Sequence, residues 1–175
     1  MKPPSRRLIA RILLLSTILA LVGCDHATKH LARTHLEHQT AVTLITGLLD
    51  LRYTENPGVA FSMFRDLPVK VRQPLLIGLG ALALGVVLLY WWRLRRTGRL
   101  ASDRWTTLAL ALIVAGALGN QLDRIARGYV IDFVHLHHYS IFNLADVFIA
   151  FGGALLLLRL WRGPKSAAAE HIHSP

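Results

Sequence analysis

A single cysteine, Cys24, leaves the chain without any possible internal disulfide, and one thiol says nothing about redox compartment. Acidic side chains are also few: 10 Asp and Glu stand against 20 Lys and Arg, for a formal net charge of +10 at pH 7. Such a charge raises the question of nucleic acid. The basic residues do not interleave with aromatics along a groove, however, and no nucleic-acid partner is expected. No His-Glu-x-x-His pair occurs, which removes the familiar helical zinc-peptidase pattern. No internal repeat is evident either.

What the sequence has in quantity is apolar residues, 53% of the chain, gathered into long blocks instead of being spread at amphipathic spacing. A bilayer core needs roughly 20 mostly apolar residues per spanning helix. Pro74 to Trp92, Trp105 to Leu122 and Phe142 to Trp161 meet that requirement. Leu8 to Gly23 supplies a shorter fourth span, in which Arg11, one turn inside, can reach back to the headgroups. Trp91, Trp92, Trp105 and Trp161 mark block ends, where amphipathic rings favour the membrane interface.

Basic residues collect at three places: Lys2, Arg6 and Arg7 before the first block; Arg93, Arg95, Arg96, Arg99 and Arg104 between the second and third; Arg159, Arg162 and Lys165 after the fourth. The positive-inside rule makes these regions, and both termini, cytoplasmic. The predicted fold is a membrane all-α bundle of four transmembrane helices in a single domain over residues 1–165, with spans at about 8–23, 74–92, 105–122 and 142–161. Residues 24–73 form an extracytoplasmic segment. Its Thr40 to Thr54 stretch is β-like and Glu55-Asn56-Pro57-Gly58 is a turn signal, so a small β-rich appendage is expected over the helices. Residues 123–141 make a second outer loop, and 166–175 a disordered cytoplasmic tail.

This topology gathers the unusual polar residues at one membrane depth. Asp25 and Lys29 follow the first block, Asn120, Asp123 and Arg124 end the third, Asp132 lies just beyond, and Asn143 and Asp146 open the fourth. Ionisable groups are costly at that depth and are functional candidates by default. Asp146 stands in Asn143-Leu144-Ala145-Asp146-Val147-Phe148, where a carboxylate is poorly solvated. Two such carboxylates brought together share a proton, one acting as base on a water and the other as acid. The bland alternative is that Asp146 caps its helix or pairs with Arg124, and that Asp132 is a loop residue. Asp25 and Lys29, at i and i+4, read as a structural ion pair. Asp123 and Arg124 read as part of a hydrogen-bond cluster, with Gly116 allowing close helix approach.

Taken in order, Asp25-His26-Ala27-Thr28-Lys29, Asn56-Pro57-Gly58-Val59-Ala60-Phe61-Ser62, Gly116 to Arg124 (GALGNQLDR), Val130-Ile131-Asp132-Phe133 and Phe142-Asn143-Leu144-Ala145-Asp146 resemble the lipoprotein signal peptidase (signal peptidase II) family. The resemblance covers residue 25 to about 150. It implies an aspartic endopeptidase of the bacterial inner membrane that uses neither metal nor other cofactor. Such an enzyme removes signal peptides from diacylglyceryl-modified prolipoproteins, cutting before the lipidated cysteine. On that pattern Asp132 and Asp146 are the catalytic pair. Asn56, Gly58, Asn120, Arg124 and Asn143 match positions that bind substrate or position the catalytic groups, and globomycin-like cyclic peptides are the expected inhibitors. The chain departs from the family in the short spacing between Asp132 and Asp146 and in Ile141, which replaces a proline-containing approach to Phe-Asn.

Rival readings remain at this stage. Leu21-Val22-Gly23-Cys24 after a basic n-region itself resembles a lipoprotein cleavage site, which would make the chain a substrate. His135, His137 and His138 suggest a metal, although a His-rich surface loop is the commoner explanation. A Ser62 hydrolase with Lys29 or Lys70 has no support in spacing. A membrane transporter or scaffold would account for buried acids but not for five ordered motifs.

Overall fold

The computed structural model describes residues 5–58, 67–97 and 103–162; the Val59 to Ser62 half of the second motif and the expected tail lie outside them. Four helices carry the architecture: α1 (Arg6–Leu36), α2 (Val69–Arg96), α3 (Arg104–Arg127) and α4 (Leu144–Trp161). All four are long and apolar enough to cross a membrane. Most of the apolar stretch of α3 is buried, whereas α1, α2 and α4 expose most of theirs. Leu13, Leu19, Leu82, Phe151 and Leu157 are 62–70% exposed, an outward apolar surface suited to acyl chains and not to water.

Helix α3 is therefore the central post, and its residues explain why. Gly116 meets α4 so closely that a Cβ there would collide with the Ala145 carbonyl oxygen and lie 2.8 Å from Ile149 Cγ1. Only a glycine lets the two backbones approach to that distance. Leu110, Ala111, Val114 and Ala115 form its apolar core, with Ile18 of α1 and Trp91 of α2 packed onto them. The helix ends where Gly128 takes φ +83, the left-handed cap that returns an N–H to the Arg124 carbonyl.

Helix α1 runs farther than hydropathy alone indicated, through residues 24–36, which had been assigned to the outer segment. The reason is a buried stripe at helical spacing, Asp25, Lys29, Ala32 and Leu36, that continues the packing face past the apolar block. Helix α2 likewise starts ahead of Pro74, at Val69, with Pro74 in its second turn.

Four strands make one antiparallel sheet in the order β1 (Val42–Ile45), β2 (Leu49–Asn56), β3 (Val130–Leu136) and β4 (Ser140–Phe142). The first two come from the α1–α2 connection, as the β-like stretch predicted. The last two come from the α3–α4 connection, which had been read as a loop. Pairing of β2 with β3 places both connections at one end of the bundle. At the other end, Asp103 caps α3 and accepts from Arg159 Nη2 at 2.9 Å, joining the start of α3 to the end of α4. Arg95, Arg96 and Arg104 lie over Trp91, Trp92 and Trp105 there, at 5.4, 4.1 and 5.4 Å from the ring centroids.

Candidate active site

The two acids reach one place from different elements. Asp132 is on β3, 2% exposed, and Asp146 is the third residue of α4. Asn143, the N-cap of α4, stands between them. Its Nδ2 donates to Asp132 Oδ1 at 2.7 Å, its backbone N donates to Asp146 Oδ2 at 3.2 Å, and its Oδ1 accepts from the Asp146 backbone N at 3.0 Å. The last two bonds form a capping box, so Asp146 does help cap its helix, as the bland reading held. Capping leaves Asp146 Oδ1 to accept from Asn120 Nδ2 at 2.7 Å. Asp132 Oδ2 accepts from Asn56 Nδ2 at 2.9 Å. Burial pushes the Asp132 carboxyl up to about 6, with the nearby Asp146 charge acting in the same direction against the Asn56 and Asn143 hydrogen bonds.

A register irregularity in β2 sets this meeting. Asp50 and Leu51 face His135 and Val134, and after a shift Thr54 faces Asp132 and Asn56 faces Val130. Asn56 thus reaches across to Asp132 while its own Oδ1 accepts from Gly58 N at 3.0 Å, fixing the turn.

Behind Asn120 lies a fully buried ionic cluster. Lys29 Nζ is 2.7 Å from Asp25 Oδ2, 2.8 Å from Asp123 Oδ2 and 3.0 Å from Asn120 Oδ1, and Lys29, Asp25 and Asp123 are all 0% exposed. Asp25 Oδ1 in turn accepts from Ala145 N at 2.9 Å, one of the orphan donors at the start of α4. Asp123 also pairs with Arg127, and His26 Nδ1 lies 3.7 Å away. Because Lys29 and Asn143 Nδ2 both donate to Asn120 Oδ1, the Asn120 amide can only turn its own N–H toward Asp146.

Arg124 separates from Asp123 and turns to the other side of α3. Its Nη2 donates to the Gly58 carbonyl at 3.3 Å and its Nη1 to the Asn120 carbonyl at 3.4 Å, while its buried Nε has no partner among the described residues. A cavity of about 960 Å³ opens beside these groups. Asn56, Gly58, Asn120, Arg124, Asp132 and Asp146 line its polar side, and Ile141, Phe142, Val147, Ile149 and Phe151 its apolar side. Ser62 lies outside the described residues, and Lys29 is consumed by its acids. An apolar groove between the helices was to be expected for a signal-peptide substrate, but its residues were not named from sequence, although Val147 and Phe151, at i and i+4, mark one face of α4.

Two carboxylates held by amides thus meet beside a cavity, on a scaffold of four helices long and apolar enough to cross a membrane. The model of signal peptidase (SPase) II matches residues 17–162, and the chain belongs to that family, whose members act on lipoprotein signal peptides. Lipoprotein signal peptidase of Pseudomonas fluorescens is 37% identical over 160 residues, 89% of this chain and 90% of its own length. That of Geobacter sulfurreducens is 36% identical over 169 residues, 94% and 98%. A solved bacterial membrane enzyme, 21% identical, superposes with a TM-score of 0.73 over 92% of this chain and 94% of its own, so the fold is shared as well.

Proposed function

We propose that this peptidase cleaves diacylglyceryl-modified prolipoproteins before the lipidated cysteine, using Asp132 and Asp146 to activate a water. The observation that carries the reading is the single asparagine, Asn143, bonded to both carboxylates at the wall of the cavity. One carboxylate takes a proton from the water as its oxygen attacks the scissile carbonyl carbon, and the other gives a proton to the leaving amine. A carboxyl with a pKa of about 6, as at Asp132, exchanges its proton near neutrality and suits a group that alternates between the two roles. Arg124, tied to Gly58 and Asn120 and with Nε still free of a partner among the described residues, offers its cation to the substrate carbonyl or the developing oxyanion. No metal enters these steps.

The apolar wall takes the signal-peptide helix and the acyl chains, and globomycin-like cyclic peptides block the same cavity. The Arg-rich end of the bundle, with both termini, faces the cytoplasm of the bacterial inner membrane, and the sheet and site face outward. Residues 1–165 act as one domain, and membrane lipid is its only other standing partner.

The test is release of signal peptide from a diacylglyceryl-modified prolipoprotein by the purified protein, beside Asp132→Asn and Asp146→Asn. Loss in both variants with retained folding is expected. Activity surviving either substitution removes that residue from the chemistry, and a folded parent that cuts nothing favours a transporter or scaffold.

A further inference from the structure

On the sheet, away from the carboxylate pair, three further side chains converge. Asp50 of β2 faces His135 of β3 in the strand register, and His137, the first residue past β3, donates its backbone N–H to the Leu48 carbonyl at 2.9 Å. Alternation along β3 sends Asp132 to the opposite face. His137 Nε2 lies 2.5 Å from Asp50 Oδ2 and His135 Nδ1 3.7 Å from the same oxygen. The two imidazoles stack at 4.8 Å between centroids, 29° from parallel. His135 is thus a strand residue, whereas His137 opens the turn between β3 and β4 and His138, with φ +64, follows it there.

A single hydrogen bond between His137 and Asp50 would leave His135 unexplained, because its ring nitrogen makes no hydrogen bond among the described residues. Asp50 is 8% exposed, between Thr43 of β1 on one side and His135 of β3 on the other. Its carboxyl is held below the usual range by the His137 hydrogen bond, so it stands as an anion at neutral pH. One ligand atom from each of the three residues lies within 4.8 Å of the other two. A tetrahedral ion with bonds of about 2.0–2.1 Å places its donors roughly 3.3 Å apart. The two separations from Asp50 Oδ2, 2.5 and 3.7 Å, lie on either side of that value.

We propose that Asp50, His135 and His137 form a binding site for a borderline divalent transition metal, of which zinc is the working example. Two imidazoles and one carboxylate suit zinc, nickel or copper and are a poor set for calcium or magnesium, which require oxygen donors. The site is structural. It joins β2 to β3 at the end remote from the Asn56–Asp132 bond, and it takes no part in the peptidase chemistry.

The experiment uses untagged protein in detergent micelles, stripped with chelator, and titrated with zinc alone by equilibrium dialysis and elemental analysis. Thermal unfolding is followed in parallel. One zinc per chain is expected, with a rise in Tm. His135→Ala, which removes no hydrogen bond and so leaves the fold intact, should weaken binding at least tenfold and abolish the Tm rise. His137→Ala and Asp50→Asn should do the same, and His30→Ala, an exposed histidine on α1, should change nothing. Cobalt in place of zinc should give the visible absorption of a four-coordinate site in the parent and lose it in His135→Ala. No binding at 100-fold excess zinc over protein, or equal binding by parent and His135→Ala, overturns the proposal. The readout is independent of peptidase activity, so an inactive protein that binds zinc here, or an active one that does not, tells the two readings apart.

Discussion

Replacing Lys29 with Met removes the one cation that reaches Asp25, Asp123 and Asn120 together, at 2.7, 2.8 and 3.0 Å. The three charged groups are 0% exposed, so water cannot compensate. Breaking a buried pair from one side costs about 3–5 kcal/mol, mostly the penalty of the stranded charge. The two acids do not suffer equally. Asp123 keeps Arg127, whereas Asp25 keeps only the Ala145 N–H on Oδ1. Most of the damage should therefore sit on Asp25, and Asp25→Asn in the Lys29→Met background should recover about 2 kcal/mol by removing the stranded charge while Oδ1 still caps α4. The assay is equilibrium or thermal unfolding of the four proteins of this cycle in one detergent, with signal-peptide release measured alongside. Activity should fall in Lys29→Met even at temperatures where it is folded, because Asn120 Oδ1 loses one of the two donors that orient it. A Lys29→Met protein within about 1 kcal/mol of the parent, or a second substitution that adds further damage, would refute the reasoning.

Asp132 makes stability depend on pH. Its folded pKa of about 6 is above the 3.8 of an ordinary aspartate, so its contribution is fully present below about pH 4 and is lost as pH rises through 6. The change is about 3 kcal/mol from the size of the shift. Between pH 4 and pH 8 the parent should lose that much relative to Asp132→Asn, and unfolding curves that stay parallel across the range would count against it. Gly116→Ala should destabilise by about 1–3 kcal/mol and reduce signal-peptide release, because the added methyl displaces Ala145 and, with it, Asp146. Arg124→Lys cannot reach both the Gly58 and Asn120 carbonyls with one ammonium, and should lower kcat/KM at least tenfold at nearly unchanged Tm; an equal loss of both would mean that Arg124 merely holds the fold.

Much of the molecule is legible in the sequence because hydropathy and length suffice to find spanning helices: three blocks lie within helices of the structure, and the fourth, Phe142 to Trp161, begins two residues ahead of α4, with Phe142 in β4 and Asn143 as the cap. What hydropathy cannot see is a helix that continues on a polar stripe. Residues 24–36 are rich in His and Thr, yet Asp25, Lys29, Ala32 and Leu36 bury one face against partners, α3, α4 and the sheet, that hydropathy does not see. Val130 to Leu136 gave no strand reading because its pairing partner, β2, lies far back in the chain, and a short strand is recognised by its neighbours more than by itself. Eight polar residues, from Asp25 to Asp146, stand out as a set by their common depth, and Asn56 and Gly58 by the family resemblance. Their division of labour does not, since nothing in the spacing says that Asn120 and Arg124 turn toward the cavity while Asp123 turns to Lys29. The two bonds of Asn143 to the acids are a distance fact, invisible without coordinates.

The sheet has a consequence for how the protein is made. Its first hairpin is synthesised with the α1–α2 connection, and its second only after α2 and α3 have been laid down. Asn56 therefore waits, without Asp132, through the insertion of two more helices, and the carboxylate pair itself awaits the fourth. Long-range strand pairing of this kind is slow to close, and here that slowness is useful. On the proposed mechanism, a protease whose carboxylate pair closes only with its fourth helix has no cutting edge while it is still being threaded into the membrane, where half-inserted apolar segments, its own among them, are the nearest things to cut.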